Sequence, residues 1–119
     1  MLRVNDLKVV TVATPDLEGA VAAFRDNFAF SITRSIEGGS ERGPSTFLGI
    51  GAAEIEMTAA TDAAGLHELV LEVDDLDEAR KALVARGIPS DDGVAPDGRP
   101  VVRLSPEVTH GVHLALTGR

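Results

Sequence analysis

The sequence predicts an α+β fold built from two strand-helix-three-strand modules. Three observations carry this. A Val-rich run at residues 7–13 leads into a capped amphipathic helix, the same order begins again at Leu66, and the two helix starts superpose at a fixed offset. Asp75 falls opposite Asp16, Leu76 opposite Leu17, Ala79 opposite Ala20 and Leu83 opposite Phe24, each about 59 positions on. Such an offset is the mark of an internal duplication. With 119 residues the chain is expected to be one domain over 1–119, module one at about 5–59 and module two at about 64–117.

In the first module, residues 7–13 read as a strand because Val and Thr recur between Asp6 and the turn-forming "TPD". Asp16 caps a helix on which Leu17, Ala20, Val21 and Phe24 recur at helical spacing, ending near Asn27. Strands are expected at 30–36, 45–50 and 53–58, divided by the turn-prone "EGGSERG" and by Gly51. A small-residue linker, "AATDAAG", opens the second module with a strand at 66–73. Asp75 and Glu78 form a capping-box-like pair ahead of a helix to Arg86, stopped by Gly87 and Pro89. A short edge near Ile88 and strands at 100–104 and 112–116 complete it.

Composition narrows the function. Hydrophobic residues make up 44% and charged residues 25%, the balance of an ordinary globular chain. A formal net charge of -8 opposes a polyanionic partner, so nucleic acid is not expected. Cysteine is absent, which excludes disulfides, thiolate metal sites and a cysteine nucleophile. The opening "MLRVNDLKVV" scatters charges among its apolar residues, and no stretch approaches membrane-spanning length, so no membrane partner and a cytoplasmic location are expected.

The helix starts "TPDLEGAVAAF" and "VDDLDEARKAL", the strand pair "FLGIGAAEIEM" and the ending "LSPEVTHGVHLAL" resemble the vicinal oxygen chelate superfamily, the group of glyoxalase I, the epimerases, extradiol dioxygenases and bleomycin-resistance proteins. The ending is most similar to that of the methylmalonyl-CoA epimerases. The resemblance covers nearly the whole chain. It implies two βαβββ modules forming a curled mixed sheet around a cup, commonly completed in a homodimer. In metal-dependent members the cup holds a divalent cation on one residue from each of four strands. Those positions fall here on Val9, Glu56, Glu68 and Ala115, and only Glu56 conforms fully to the usual His, Glu or Gln, His, Glu set. No cofactor is therefore expected, with a divalent metal weakly held at Glu56 and Glu68 as the alternative.

Strand alternation sets Glu68 and Glu72 on one face and His67 on the other, and the resemblance makes the Glu68 face the cup. Glu54 and Glu56 on the fourth strand, and His113, Ala115 and Thr117 on the last, share that inward side by the same count. Glu56, Glu68 and His113 are the candidate catalytic residues, carboxylates as bases and the imidazole as acid or donor. Arg103, Glu54, Glu72, Val9, Ala115 and Thr117 are the candidate substrate-binding positions, with Arg103 suited to grip a carboxylate through two N–H groups. A plainer alternative for Glu68 is an ion pair with Arg103, Lys8 or Arg3, because buried charges are usually paired. His110 reads as a turn residue in "THG", and His67 as facing the helix layer or a subunit contact. The glycines of "IEGGSERGP" are not followed by a helix, which argues for a hairpin loop at the cup mouth and against phosphate binding. No nucleophile-elbow motif supports a Ser-His-Asp triad.

The leading expectation is a small-molecule isomerase or lyase that works by carboxylate and histidine acid-base chemistry without the usual metal. One alternative is a divalent-metal-dependent epimerase or lyase with ligands rearranged onto Glu56, Glu68 and His113. The other is a non-catalytic ligand- or drug-binding protein of the resistance type; aromatic residues at only 3% argue against planar drugs as its ligands.

Overall fold

The computed structural model describes residues 3–37, 44–59, 64–95 and 97–118. The chain runs β1 (Val4–Thr14), α1 (Leu17–Phe28), β2 (Ser31–Ile36), β3 (Ser45–Ile50), β4 (Ala53–Ala59), β5 (Gly65–Val73), α2 (Leu76–Ala85), β6 (Ser90–Val94), β7 (Pro100–Leu104) and β8 (Leu114–Gly118). This is the expected βαβββ order, twice. The glycine-rich segment after β2 and most of the linker before β5 lie outside the described residues.

Two compact units result. The first spans Val9–His67, and the second joins the chain from Glu68 onward to the opening residues up to Lys8. In the first unit the strand order is β2-β3-β4-β1, and in the second β5-β8-β7-β6. Within each the first and fourth strands of the module pair in parallel and the remaining neighbours are antiparallel. The duplication extends to register: Val10 pairs with Ile55, and Leu69 with Leu114, the two pairs related by the 59-position offset of the helix starts.

Local chemistry starts both helices. The Asp16 carboxylate accepts from the Gly19 amide at 3.0 Å, satisfying one of the donors a helix start leaves open. A Cβ on residue 19 would lie 2.2 Å from Asp16 Oδ2, so a larger residue there would displace the capping carboxylate. Asp75 accepts from the amides of Asp77 at 2.9 Å and Glu78 at 3.2 Å. The Glu78 carboxylate takes the Lys81 ammonium at 3.3 Å, so only the Asp75 half of the capping box is formed by the described hydrogen bonds. The helices stop differently: Ala29 closes α1 in the left-handed region at φ 60°, whereas α2 runs into Gly87 at φ 67°.

Each helix covers one face of its strands. Val21, Leu48 and Met57 form the core of the first unit, with Leu17, Phe24 and Ile55 packed against them. Val73, Ala79, Leu83, Val102 and Leu116 form that of the second, and full burial of a side chain such as Leu83 contributes about 2 kcal/mol. Alternation then leaves Thr11, Phe47 and Glu56 on the face of the first unit turned from its helix, and Glu68, Arg103, Ala115 and Thr117 on that of the second.

Three strands differ from their expected places, the first of them β1, which begins at Val4 rather than at residue 7. The edge expected near Ile88 is β6, two residues later; Ile88 packs into the core beside α2, and the ladder is formed instead by "SDDGV", a poor strand sequence held by pairing with β7. Arg80 of α2 also ties it down, donating from Nε to Asp92 at 2.8 Å, a hydrogen bond that raises the Arg80 pKa. The last strand begins at Leu114 rather than Val112 because 106–111 is a series of turns, with the Gly111 amide donating to the Pro106 carbonyl at 2.7 Å.

Candidate functional site

β5, β7 and the residue before β8 bring Glu68, Arg103 and His113 to the wall of one cavity of about 360 Å³ in the second unit. Pro89, Ser90, Asp91 and Pro106 close other sides. The volume is at the small end of the range for ligand sites. Arg103 Nε donates to Glu68 Oε2 at 3.1 Å, with the two side chains 36% and 12% exposed. Of the three cations considered from sequence as partners for Glu68, Arg103 is the one that meets it, while Lys8 lies 3.7 Å from Glu72. His113 is held in place by its own carbonyl, which accepts from the Leu69 amide at 3.0 Å. The preceding turn puts His110 at φ 57°, the turn role expected for it.

The first unit treats its carboxylates differently. Glu56 is 1% exposed; Thr11 Oγ1 donates to Oε1 at 3.0 Å and Ser45 Oγ to Oε2 at 2.7 Å, so each oxygen has a neutral donor. Glu54 is gripped by Arg34 through Nη2 at 2.8 Å and Nε at 3.2 Å, with Thr33 Oγ1 adding a third bond at 2.7 Å. The Arg34 guanidinium also lies 4.2 Å from the centre of the Phe47 ring, a favourable cation–π distance.

The other positions singled out from sequence are placed as follows. Val9 is 7% exposed, and Ala115 and Thr117 are fully buried; Thr117 Oγ1 donates to the Pro100 carbonyl at 3.1 Å. Ala115, Thr117 and Glu72 share the sheet face of Glu68 but do not line the cavity. His67 is exposed. Sequence reasoning missed Thr11 and Ser45, the two hydroxyls that hold Glu56, and Asp91 at the cavity wall. Thr11 was detectable in principle, since its side chain must face the same way as Val9.

A divalent cation of the kind the resemblance implies would need oxygen or nitrogen donors at the four matching positions. Val9 and Ala115 offer none, both Glu56 oxygens accept hydroxyl protons, and Glu68 already faces a guanidinium that would repel a second cation. Among the described residues no group of three or more His, Asp or Glu is arranged to hold a metal ion. The described residues at these positions do not fit a divalent cation.

No family model matches the chain. It is 25% identical to the mitochondrial methylmalonyl-CoA epimerase of Dictyostelium discoideum, a likeness that covers 95% of this chain and 78% of that protein. Methylmalonyl-CoA epimerase from Mycobacterium tuberculosis shares the fold with a TM-score of 0.85 at 21% identity, covering 99% of this chain and 92% of that one. The Streptomyces coelicolor epimerase, solved as an S-to-T variant with 2-nitronate-propionyl-CoA, follows at a TM-score of 0.84 and 19% identity, covering 98% and 95%. The chain thus shares the duplicated fold of the methylmalonyl-CoA epimerases, the vicinal oxygen chelate fold, over nearly its whole length, and is similar in sequence to one of them.

Proposed function

We propose that this protein is a small-molecule isomerase that moves a proton on a carbon next to a carbonyl. The observation that carries the reading is the cavity of the second unit, where a carboxylate, a guanidinium and an imidazole surround one space. In this scheme Glu68 takes the proton through Oε1, the oxygen opposite the one bound by Arg103. The C–H bond breaks, its electron pair forms the carbon–carbon double bond of the enolate while the carbonyl π pair moves onto oxygen, and the N–H groups of Arg103 stabilise that oxyanion. His113 in its protonated form returns a proton to the carbon, and solvent resets both groups. Glu56, closed off and satisfied by two hydroxyls, is not given the proton step. The relatives' substrates supply the class to try first, a carboxylated acyl thioester.

Deuterium uptake by methylmalonyl-CoA in heavy water, followed by mass spectrometry with and without chelator, tests the scheme. Wild-type protein should exchange the proton in both conditions, and Glu68→Gln should slow exchange by about 10²- to 10⁴-fold at an unchanged melting temperature. Full exchange in that variant sinks the role of Glu68, and loss of exchange on chelation returns the reaction to a metal.

A second reading, ligand capture without chemistry, is favoured by one observation: the Glu68 carboxylate is already paired. Saturable binding of the thioester with no exchange in the wild type would establish it. A homodimer in the cytoplasm belongs to either reading, and light scattering at working concentration should give twice the chain mass.

A further inference from the structure

Gly93 lies within β6, opposite Val101 of β7, and its φ is not in the left-handed region, so the backbone gives no reason for glycine there. Glycine inside a strand is unfavourable and marks a place where something approaches closely. Here the approaching group is Arg103: a Cβ on residue 93 would lie 2.2 Å from Nη1 and 3.5 Å from Cζ. Arg103 sits between Asp91 of β6 and the buried Ala115 of β8, while its Nε is bound by Glu68. The guanidinium is thus tethered by a carboxylate at one nitrogen and occupies, at another, the volume that a side chain on residue 93 would take. Among the described hydrogen bonds Glu68 takes one of its five N–H donors, and the group lies on the cavity wall.

We infer that Gly93 is a positioning residue for Arg103, and that the two preset a receptor for the carboxylate oxygens of a small ligand. The inference rests on the cavity being the ligand site, as proposed above, but not on any reaction occurring there. A planar fork matches a carboxylate through paired N–H bonds, and holding it in place beforehand removes the entropic cost of ordering a long side chain on binding. Asp91 also borders the cavity but is exposed, so water screens its charge more than it weakens short hydrogen bonds from the fork.

The test uses malonate as the probe, titrated by calorimetry into wild type, Gly93→Ala, Arg103→Lys and the double variant, with melting temperatures recorded for each. Because the atom displaced in Gly93→Ala is the far end of a flexible side chain, the fold should persist while the guanidinium moves. Each single variant should weaken malonate binding by about tenfold, equivalent to about 1.4 kcal/mol. The double variant should bind no more weakly than Arg103→Lys, whose shorter side chain does not use the space at Gly93. In wild type the Arg103 Nε–H should show a distinct, exchange-protected nitrogen-15 signal that Gly93→Ala shifts. Undiminished binding by Gly93→Ala, additive losses in the double variant, or no malonate binding by wild type would each overturn the inference. Malonate binding without deuterium exchange would defeat the isomerase reading and leave this one standing. Exchange with an unchanged KM in Gly93→Ala would do the reverse.

Discussion

Glu56 and Glu68 are both strand carboxylates on the face turned from a helix, yet each module treats its own in an opposite way. In the first module Glu56 is sealed and answered by two neutral hydroxyls. In the second Glu68 is answered by one cation and borders a cavity. The duplication sharpens the contrast, because Val9 precedes Glu68 by the same 59 positions that separate Glu56 from Ala115. Each module keeps a carboxylate where the other has an apolar residue. A carboxylate with both oxygens occupied and no exposure serves the fold; one with a single charged partner at a cavity wall is the one the proposed function assigns to the ligand. Stability and ligand effects should therefore separate between the two modules.

The largest stability effect is expected at Glu56. Glu56→Ala strands two buried hydroxyls and opens a cavity, and should cost about 3 kcal/mol in urea unfolding. Glu68→Ala removes a partly exposed ion pair and should cost about 1 kcal/mol or less. Equal losses at the two sites would break the distinction drawn between them. Next in size is Thr11→Val. At the same offset the second module already carries Val70, paired with Ala115 as Thr11 is paired with Glu56, so the substitution copies one module into the other. It removes a hydrogen bond to a buried carboxylate and should cost about 2 kcal/mol, read by the same unfolding series. In the Glu56→Ala background the cost should shrink, because the two residues share one network.

Much of this contrast was legible in the sequence, and the remainder was not for physical reasons. Alternation along β4 and β5 placed Glu56 and Glu68 on their correct faces, since a period of two fixes a side chain's direction once the strand is found. Asp16 and Asp75 fixed both helix starts through side chains that cap locally. What each carboxylate would meet depends on register between strands distant in sequence: 45 positions separate Thr11 from Glu56, and 35 separate Glu68 from Arg103. Three cations were available to Glu68 on paper, and only the β5, β8 and β7 ladder selects Arg103. β6 was shifted for a related reason, its "SDDGV" being a strand by virtue of β7 rather than of its own propensity. The one local clue there was Gly93, and its meaning required Arg103.

The smallest expected effect concerns the helix stops, where the modules again differ and the sign can be reversed. Ala29 ends α1 at φ 60° with its amide donating to the Arg25 carbonyl at 3.0 Å, a conformation that crowds a Cβ, whereas α2 is followed by Gly87 at φ 67°. Ala29→Gly relieves that crowding but frees the unfolded backbone, so a net gain of about 0.5 kcal/mol is expected. Gly87→Ala introduces the crowding and should lose about 1 kcal/mol. Opposite shifts in melting temperature would show that the two stops differ in strain and not in burial, since nothing lies within 4 Å of a Cβ built on Gly87. Shifts of the same sign would mean that the Phe24, Phe28 and Phe30 rings flanking Ala29, with centroids 5.6 to 6.5 Å apart, set the stability of that turn more strongly than its backbone does.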